Sequence, residues 1–440
     1  QGEDQGEDQA EAQKEDDVPF RGGLLGLVGY DLARDAAGLV DGSATQADTG
    51  FPDLVAGLYS WALVTDHARR RTQLVALPGH EIPAAVLEAI AGALLDTHTG
   101  PLRDSEPAST AASTAASKAA SATASSSTAS HTKEPATMDA AGTIEPPRLE
   151  AEVDRCGYGR AFARIQQYIR AGDCYQINLA IRFHGRTKLS SPALYGALAA
   201  AHPAPFAGYL ETPSGTVLSL SPERLLHSEA RRVSTSPIKG TRGRGRTRDE
   251  DAGLGAELLA SGKDRAENLM IVDLLRNDLG RSCAVGSIRV PKLFELQTFG
   301  SVHHLVSTVE GHLRPDTSPL QALARAFPGG SITGAPKLRA MQIIDELETA
   351  RRGPYCGSLF RVDERGRLDA SITIRTLLHQ GEDLWCWGGG GIVADSDADA
   401  EWREIHDKVR ALIGSEAHCD AHRDAPCEPE PSRDADVDTH

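Results

Sequence analysis

The sequence predicts an α+β fold in which large antiparallel sheets carry helices on their outer faces. Two observations lead to this prediction. Strand-like and helix-like segments alternate irregularly along the chain, without the strict βαβ order of a parallel sheet. Polar, low-complexity stretches also interrupt the 440 residues and leave a core-forming part large enough for one big domain or two ordinary ones.

Three segments lack the apolar residues needed to bury a core. Residues 1–17 are mostly acidic, residues 104–148 are mostly Ala, Ser and Thr, and residues 415–440 are polar and acidic. We expect all three to be disordered. The remaining chain divides into an N-terminal β-rich part (18–103) and a catalytic part (149–414).

The N-terminal part reads as strands and tight turns. Residues 20–34 alternate glycine with apolar residues, and residues 54–77 read as two strands around a turn at Asp66-His67, a hairpin. After residue 150 the pattern changes to an amphipathic helix that ends near Gly172, followed by the strand YQINLAIRFHG. Further strands are predicted at 216–220, 232–238, 287–294, 356–362, 371–378 and 384–394, and helices at 192–201, 250–260, 264–280, 318–326, 336–348 and 397–413.

Charge and cysteine usage exclude several classes of protein. The formal net charge of −16 argues against a nucleic-acid binder, and no apolar run approaches the length of a membrane span. The 7 cysteines form no CxxC pair and no zinc pattern. We therefore expect reduced, structural thiols in a cytoplasmic protein.

The last predicted helix combines acids with a preceding glycine run. Glu401, Glu404 and Lys408 are spaced i, i+3, i+7 and so share one stripe, beside an apolar stripe of Trp402, Ile405, Val409 and Leu412. For this spacing alone, a solvated, salt-bridged helix face is the preferred interpretation. The four glycines at 388–391 favour a ligand site, because they let a ligand approach bare backbone.

A third acid, Glu267, lies near the start of the predicted helix at 264–280. An acid is favourable there in any case, because of the helix dipole. Together with Glu401 and Glu404, however, it offers an oxygen-only site of few carboxylates. Mg²⁺ uses such a site when substrate oxygens and waters complete its shell.

Other segments offer cations and an anion site. In a strand over 371–377, Thr373 and Arg375 point to the same face, where an arginine suits a carboxylate, although a solvent-exposed arginine fits the pattern as well. The glycine-rich turn at 328–330 leads into a helix with Pro336 at its start, an arrangement that favours an anion at the helix N-terminus.

Two further candidates are Glu223 and Lys239. Lys239 lies at the end of an apolar strand, where desolvation would lower its pKa and make its amine a better nucleophile. A surface lysine is the alternative interpretation.

Together these motifs resemble the chorismate-utilising enzymes, and within them the branch that aminates chorismate at C4. They run in the family order over nearly all of 151–413. The resembling segments are GDCYQINLAIRF, SLSPERLL, PIKGTR, DRAENLMIVDLLRNDLGR, VHHLVSTVEG, AFPGGSITGAPKLRAMQIIDELE, CGSLF, SITIRTL and GGGIVADSDADAEWREIHDK.

The resemblance implies two stacked antiparallel sheets with helices outside and the active site in the cleft between the sheets. It implies that Glu267 and Glu404 bind Mg²⁺, with Glu401 nearby, and that the metal holds the ring carboxylate of chorismate. Other roles that it implies are the pyruvyl carboxylate for Arg375 and Tyr355, general acid for Glu223, and the cavity wall for Lys408, Gly389, Gly390, Gly391, His304 and Thr333.

Lys239 separates the branches of the family. The C4-aminating enzymes carry PIKGT where anthranilate synthases, the alternative, carry PIAGT. The resemblance implies that Lys239 attacks C2 of chorismate and that ammonia then adds at C4. Isochorismate and salicylate synthases place a lysine base where this chain has Gln176, which fits ammonia rather than water as the nucleophile.

Two expectations concern what lies outside the chain. None of the cysteines lies in the GxCxG turn of a glutaminase, so a separate glutamine amidotransferase is expected to supply the ammonia. The chain begins with Gln, and the first strands of the family have no counterpart here, so we expect its natural start to be missing.

Overall fold

The computed structural model describes residues 18–39, 48–96, 147–299 and 302–413. Apart from residues 147–148, the three segments predicted to be disordered lie outside the described residues. The described chain contains two large sheets whose strand pairs are all antiparallel, as the sequence predicts. The prediction of an α+β fold with large antiparallel sheets is therefore confirmed.

The first sheet has nine strands. Its order is β11-β13-β10-β9-β16-β15-β1-β2, with β12 also paired to β13. These strands are β1 (Gly23–Val28), β2 (Leu54–Tyr59), β9 (Arg224–Glu229), β10 (Arg232–Thr235), β11 (Ile238–Gly243), β12 (Arg289–Thr298), β13 (Val302–His312), β15 (Ser358–Asp363) and β16 (Leu368–Ile372).

The second sheet has seven strands. Its order is β14-β6-β18-β17-β8-β7, with β5 also paired to β6. These strands are β5 (Leu149–Ala151), β6 (Gln176–Arg186), β7 (Phe206–Thr212), β8 (Gly215–Ser221), β14 (Gly334–Ala335), β17 (Thr376–Gln380) and β18 (Asp383–Ile392). Buried side chains of both sheets belong to one hydrophobic core, for example Leu226 and Phe360 of the first sheet with Leu218 and Phe183 of the second.

The segment 54–77 differs from its prediction. It forms three strands rather than two, because β2 leaves the predicted hairpin and pairs with β1. The predicted hairpin is formed by β3 (Trp61–Asp66) and β4 (Arg71–Ala76), which make a separate two-stranded sheet. Local alternation indicates each strand, but it does not tell which distant strand becomes its partner.

Nine α-helices flank the sheets in the described residues. They are α1 (Asp31–Ala36), α2 (Ala84–Asp96), α3 (Arg155–Ala171), α4 (Ser191–Ala201), α5 (Arg248–Ala260), α6 (Gly262–Gly280), α7 (Pro319–Ala326), α8 (Lys337–Leu347) and α9 (Ala398–Ile413). The amphipathic α3 begins after Asp154, whose side chain accepts from the N–H of Gly157, and ends at Gly172 in the left-handed conformation with φ 81°.

Two helices bring acids towards one place. On α6, Ile271, Val272, Leu275 and Leu279 are buried, whereas Leu269 is exposed. On α9, the predicted apolar stripe packs against β18, with Ile405, Val409 and Leu412 buried. The acids Glu267 and Glu401 therefore lie beside buried faces.

The predicted strand at 371–378 is interrupted. Strand β16 ends at Ile372 in the first sheet and β17 begins at Thr376 in the second, so residues 373–375 carry the chain from one sheet to the other. Arg375 takes a φ of 51°, in the left-handed region that non-glycine residues rarely adopt. The prediction that Thr373 and Arg375 point to the same face of one continuous strand is therefore wrong.

No described helix is long and apolar enough to cross a membrane. Cys174, Cys283, Cys356 and Cys386 are buried free thiols, as expected of structural cysteines. Cys156 differs from the prediction, since it forms a disulfide bond.

Candidate active site

A cavity of about 700 Å³ is lined by residues of both sheets and of helices α6 and α9. The structure brings eleven of the fourteen predicted site residues to its wall. They are Glu223, Lys239, Glu267, His304, Tyr355, Arg375, Gly389, Gly391, Glu401, Glu404 and Lys408. The roles that the sequence assigns to these residues remain predictions.

The other three predicted residues lie behind the wall. Gln176 is buried and its side chain packs against the backbone of Gly391. A Cβ added to Gly391 would lie 3.0 Å from the Nε2 atom of Gln176. Thr333 is buried and its hydroxyl donates to the carbonyl of Gly329 at 3.0 Å. A Cβ on Gly390 would lie 2.7 Å from the Oε2 atom of Glu401, so glycine is required there for the carboxylate to approach.

The predicted anion site at the glycine-rich turn is displaced. Helix α8 begins at Lys337, and its N-terminus does not contribute to the cavity wall. Instead, a short 3₁₀ turn over Gly330–Ile332 places Ser331 and Ile332 on the wall. The strand β14, which pairs with β6, separates this turn from the helix.

Glu223 lies where the chain passes from β8 in the second sheet to β9 in the first. Its backbone carbonyl accepts from the N–H of Ile372 at 3.1 Å, and its Oε1 atom accepts from the hydroxyl of Ser331 at 2.9 Å. Burial raises the pKa of Glu223 to about 7, although the Ser331 hydrogen bond and the charge of Lys239 oppose the rise. The carboxyl group therefore holds a proton near neutral pH, as a general acid must.

Lys239 lies on β11, next to Gly240 at φ 83°. Burial lowers the pKa of Lys239, and the charges of Glu267 and Glu223 oppose this shift. A lower pKa increases the fraction of neutral amine, which is the nucleophilic form.

The three predicted metal ligands come from two helices. Glu404 accepts from the Nζ atom of Lys408 at 2.7 Å, and Lys408 also donates to the carbonyl of Gly389 at 3.0 Å. Glu401 accepts from the hydroxyl of Ser396 at 2.7 Å. Among the described residues, no three histidine, cysteine, aspartate or glutamate side chains are grouped closely enough to hold a metal ion by themselves.

The charges of these carboxylates are coupled. Burial raises the pKa of Glu267 and that of Glu401, and the charge of Glu404 raises both further. Burial also opposes ionisation of Glu404, but the charge and hydrogen bond of Lys408 outweigh it and lower the pKa of Glu404. The cluster therefore gathers negative charge that a cation would stabilise.

Arg375 and Tyr355 stand on the wall of the same cavity. Arg375 lines the cavity, where partial desolvation lowers the pKa of its guanidinium. Tyr355 is 4% exposed and its ring stacks on that of Trp387, with centroids 6.2 Å apart. The hydroxyl of Tyr355 would lie 2.9 Å from a Cβ on Gly389.

His304 lies on β13, and its Nδ1 atom is 2.9 Å from the hydroxyl of Thr241 on β11. Burial and the charge of Arg375 lower the pKa of His304 to about 4. The imidazole is therefore neutral at physiological pH and can bind a hydroxyl or a carbonyl without adding charge.

The wall also contains polar residues that the sequence did not single out, among them Asn178, Lys263 and Ser331. Ser331 donates to Glu223, 108 positions away in the sequence, and it also lies inside a segment that carries the family resemblance. Lys263 stands next to the acidic helix start, where its charge counters Glu267, Glu401 and Glu404. Asn178 lies inside GDCYQINLAIRF, one of the segments that carry the family resemblance, and only that resemblance could have indicated it.

Proteins of similar sequence cover almost the whole chain. Aminodeoxychorismate synthase component 1 of Salmonella typhimurium is 40% identical over 401 residues, which are 91% of this chain and 78% of that protein. The protein of the same name from Escherichia coli is 40% identical over 398 residues, covering 90% and 78%. Anthranilate synthase component 1 of Thermus thermophilus is 38% identical over 395 residues, covering 90% and 77%.

Solved structures agree with the fold. Anthranilate synthase component I from Streptococcus pneumoniae superimposes with a TM-score of 0.72 at 28% identity, covering 90% of this chain and 81% of that one. The menaquinone-specific isochorismate synthase from Escherichia coli shares the fold at a TM-score of 0.61 and 19% identity, covering 89% and 78%. The chorismate binding enzyme family matches residues 3–414. The chain is therefore a member of the chorismate-binding enzyme family.

Proposed function

We propose that this enzyme aminates chorismate at C4 and releases 4-amino-4-deoxychorismate, the precursor of para-aminobenzoate in folate biosynthesis. Relatives named aminodeoxychorismate synthase component 1 support the proposal. The observation that carries it is the pairing of Lys239 with Glu223 on one cavity wall, since the two groups influence each other's ionisation.

In the proposed reaction Lys239 is the nucleophile and Glu223 is the general acid. The neutral amine of Lys239 adds to C2 of the ring, both conjugated ring double bonds shift by one position towards C4, and the C4 hydroxyl leaves as water with the proton of Glu223. Ammonia then adds at C4, both double bonds shift back, and the C2–N bond to Lys239 breaks to release the neutral amine. One ammonia is consumed and one water is released, and Glu223 recovers its proton from the incoming nitrogen.

The remaining wall residues bind the substrate. Arg375 and Tyr355 are proposed for the pyruvyl carboxylate, because a guanidinium with no carboxylate partner among the described residues suits a bidentate anion. Neutral His304, Lys408 and the glycine strand would surround the ring. Gln176 supplies no base for water, which favours ammonia as the nucleophile.

Glu267, Glu404 and Glu401 are proposed to hold Mg²⁺. The fit rests on an oxygen-only donor set from two helices and on the charge of Glu404, which raises the pKa of both Glu267 and Glu401. When bound, the ion would supply an electrophilic anchor for the ring carboxylate.

A separate glutamine amidotransferase is proposed as the source of ammonia. The name component 1 of the relatives supports a second component, and no cysteine of the sequence has the glycine neighbours of a glutaminase nucleophile. The cytoplasmic location stays part of the proposal; four buried free thiols support it, whereas the disulfide of Cys156 counts against it.

The direct test is incubation with chorismate, Mg²⁺ and ammonium, followed by chromatographic separation of the products. We expect 4-amino-4-deoxychorismate from ammonium, none from glutamine alone, and glutamine use once an amidotransferase subunit is added. Anthranilate with released pyruvate would instead establish the alternative function, anthranilate synthase. The 38% identity to an anthranilate synthase component 1 is the observation that favours this alternative.

The role of Lys239 is tested by substitution. Lys239→Ala should lose at least about 10³-fold in turnover, because the covalent route is removed, whereas Lys188→Ala, at an exposed position, should remain active. Intact-protein mass of the wild type with chorismate and no ammonium should show an adduct on Lys239. A near-normal rate in Lys239→Ala would reduce this lysine to a positioning residue.

A further inference from the structure

Two segments at the cavity have backbone in the left-handed region. Arg375 takes a φ of 51°, and Cys356, the residue after Tyr355, takes a φ of 60°. Neither is a glycine, so both backbones are strained. Arg375 and Tyr355 both line the cavity and are proposed for the same carboxylate. Strained residues persist only where the surrounding structure holds them, so we looked for the bonds that fix these two segments.

Tyr355 is presented by a tight turn. The N–H of Gly357 donates to the carbonyl of Pro354 at 3.2 Å, which closes a β-turn over residues 354–357. Tyr355 is the second residue of this turn and Cys356 is the third, where turns with a positive φ usually have glycine. Because a cysteine adopts this conformation less readily than glycine does, the turn depends on bonds from outside it.

Thr373 supplies three such bonds. It is fully buried and lies where the chain crosses from β16 in the first sheet to β17 in the second. Its N–H donates to the carbonyl of Gly357 at 3.1 Å, and its carbonyl accepts from the N–H of Cys356 at 2.9 Å. Its hydroxyl donates to the carbonyl of Pro354, the same carbonyl that closes the turn. Thr373 therefore binds both ends of the turn that carries Tyr355.

Arg375 is held close to Thr373 by the backbone. The N–H of Ile374 donates to the carbonyl of Ile372 at 2.8 Å, which folds the chain tightly around Thr373. The carbonyl of Arg375 accepts from the N–H of Leu220 at 2.9 Å, which anchors this segment to β8. The segment that carries Arg375 is therefore joined to the turn through Thr373.

The hydroxyl of Thr373 can be removed without leaving a buried acceptor unpaired. Valine has nearly the same shape, and the two backbone bonds of Thr373 do not involve its side chain. The carbonyl of Pro354 would keep its bond from the N–H of Gly357. A change in ligand binding on removal of this hydroxyl would therefore report on the position of the turn.

We propose that Thr373 is a positioning residue whose hydroxyl holds the turn of Tyr355 against the segment of Arg375. The bond sets the spacing between the two groups that are proposed to bind the pyruvyl carboxylate of chorismate. This inference rests on the proposed function. It assigns a task in substrate binding to a residue that is not itself among the described residues that line the cavity.

The test separates the pyruvyl carboxylate from the rest of the ligand. Chorismate carries a ring carboxylate and a pyruvyl carboxylate, whereas benzoate carries the ring carboxylate and no pyruvyl group. Wild type, Thr373→Val, Thr373→Ser and the control Thr212→Val are compared by the KM of chorismate at saturating ammonium, by kcat and by the inhibition constant of benzoate. Thr212 is a matched control, because its hydroxyl also donates to a carbonyl, that of Gly215 at 2.8 Å, in a turn outside the described cavity wall.

We expect Thr373→Val to raise the KM of chorismate about three- to tenfold, the usual effect of losing one hydrogen bond. The kcat and the inhibition constant of benzoate should stay within about twofold. Thr373→Ser keeps the hydroxyl and should resemble the wild type, as should Thr212→Val. In Arg375→Lys, which cannot form two parallel hydrogen bonds to a carboxylate, adding Thr373→Val should raise the KM by less than about twofold, because the spacing matters only to an intact pair.

An unchanged KM in folded Thr373→Val would overturn the inference. An equal loss of affinity for benzoate, an equally raised KM in Thr373→Ser, or a fully additive effect in Arg375→Lys would overturn it as well. If thermal unfolding shows that Thr373→Val does not fold, Thr373→Ser and Thr373→Ala, which differ only by the hydroxyl, make the same comparison. A wild-type protein that binds chorismate without converting it would contradict the proposed function instead, and affinities from calorimetry would then replace the KM in the test of Thr373.

Discussion

Replacing the proposed general acid should stabilise the protein. In the wild type, burial raises the pKa of Glu223 from 4.5 to about 7, a difference of about 2.5 pH units. At about 1.4 kcal/mol per unit, ionisation of this carboxyl costs the folded state about 3 kcal/mol at pH 8. Glu223→Gln carries no ionisable group, and its side-chain oxygen can still accept from Ser331.

The sign of the pH dependence follows from proton binding. Between pH 4.5 and 7 the folded wild type retains a proton on Glu223 that the unfolded chain has already lost. The free energy of unfolding therefore falls as pH rises through this window, and the loss is complete above pH 7. At pH 5 the variant and the wild type should differ by less than about 1 kcal/mol, and at pH 8 the variant should be more stable by about 3 kcal/mol.

Urea unfolding at pH 5 and pH 8 measures this difference, with chorismate turnover recorded in parallel. Glu88→Gln, on an exposed helix position, controls for the loss of one negative charge. Equal stability of Glu223→Gln and wild type at both pH values would refute the reasoning, because Glu223 would then ionise as a solvated carboxylate does. Retained turnover in the variant would refute its role as the acid.

Further predictions concern the carboxylates proposed to bind Mg²⁺ and the buried ion pair between Arg352 and Glu348. Gly390→Ala would place a Cβ 2.7 Å from Glu401 and should weaken Mg²⁺ binding, measured by calorimetry without substrate, by about tenfold, whereas Gly253→Ala, whose Cβ meets nothing within 4 Å, should bind normally. Arg352→Met should lower the free energy of unfolding by about 3–5 kcal/mol, because it leaves Glu348 buried without its cation. Adding Glu348→Gln to that variant should recover part of the loss, and no recovery would contradict the ion-pair explanation.

Hydrophobic periodicity and residue spacing were enough to predict features that lie within a single helix. The i, i+3, i+7 spacing of Glu401, Glu404 and Lys408 placed all three on the cavity side of α9, since a single helix fixes their relation. Helix ends with a clear cap, such as Gly172, were also predictable. In these cases one short segment determines the geometry.

Features that depend on distant segments could not be predicted this way. The break at 373–375 exists because the chain changes sheets there, and nothing in the alternation of SITIRTL reveals the positive φ of Arg375. The hydrogen bond between Ser331 and Glu223 arises only when segments far apart in sequence meet in the fold. Which distant segments come into contact is determined by the packing of the whole hydrophobic core.

The central claim is that nitrogen is added at C4 while the pyruvyl group is retained. Wild-type protein incubated with chorismate, Mg²⁺ and ¹⁵N-labelled ammonium should give one product whose ¹⁵N couples to the proton at C4 and which keeps its enolpyruvyl signals in the NMR spectrum. Labelled nitrogen on an aromatic ring carbon next to the carboxylate, with free pyruvate in solution, would contradict the claim and identify the anthranilate reaction instead.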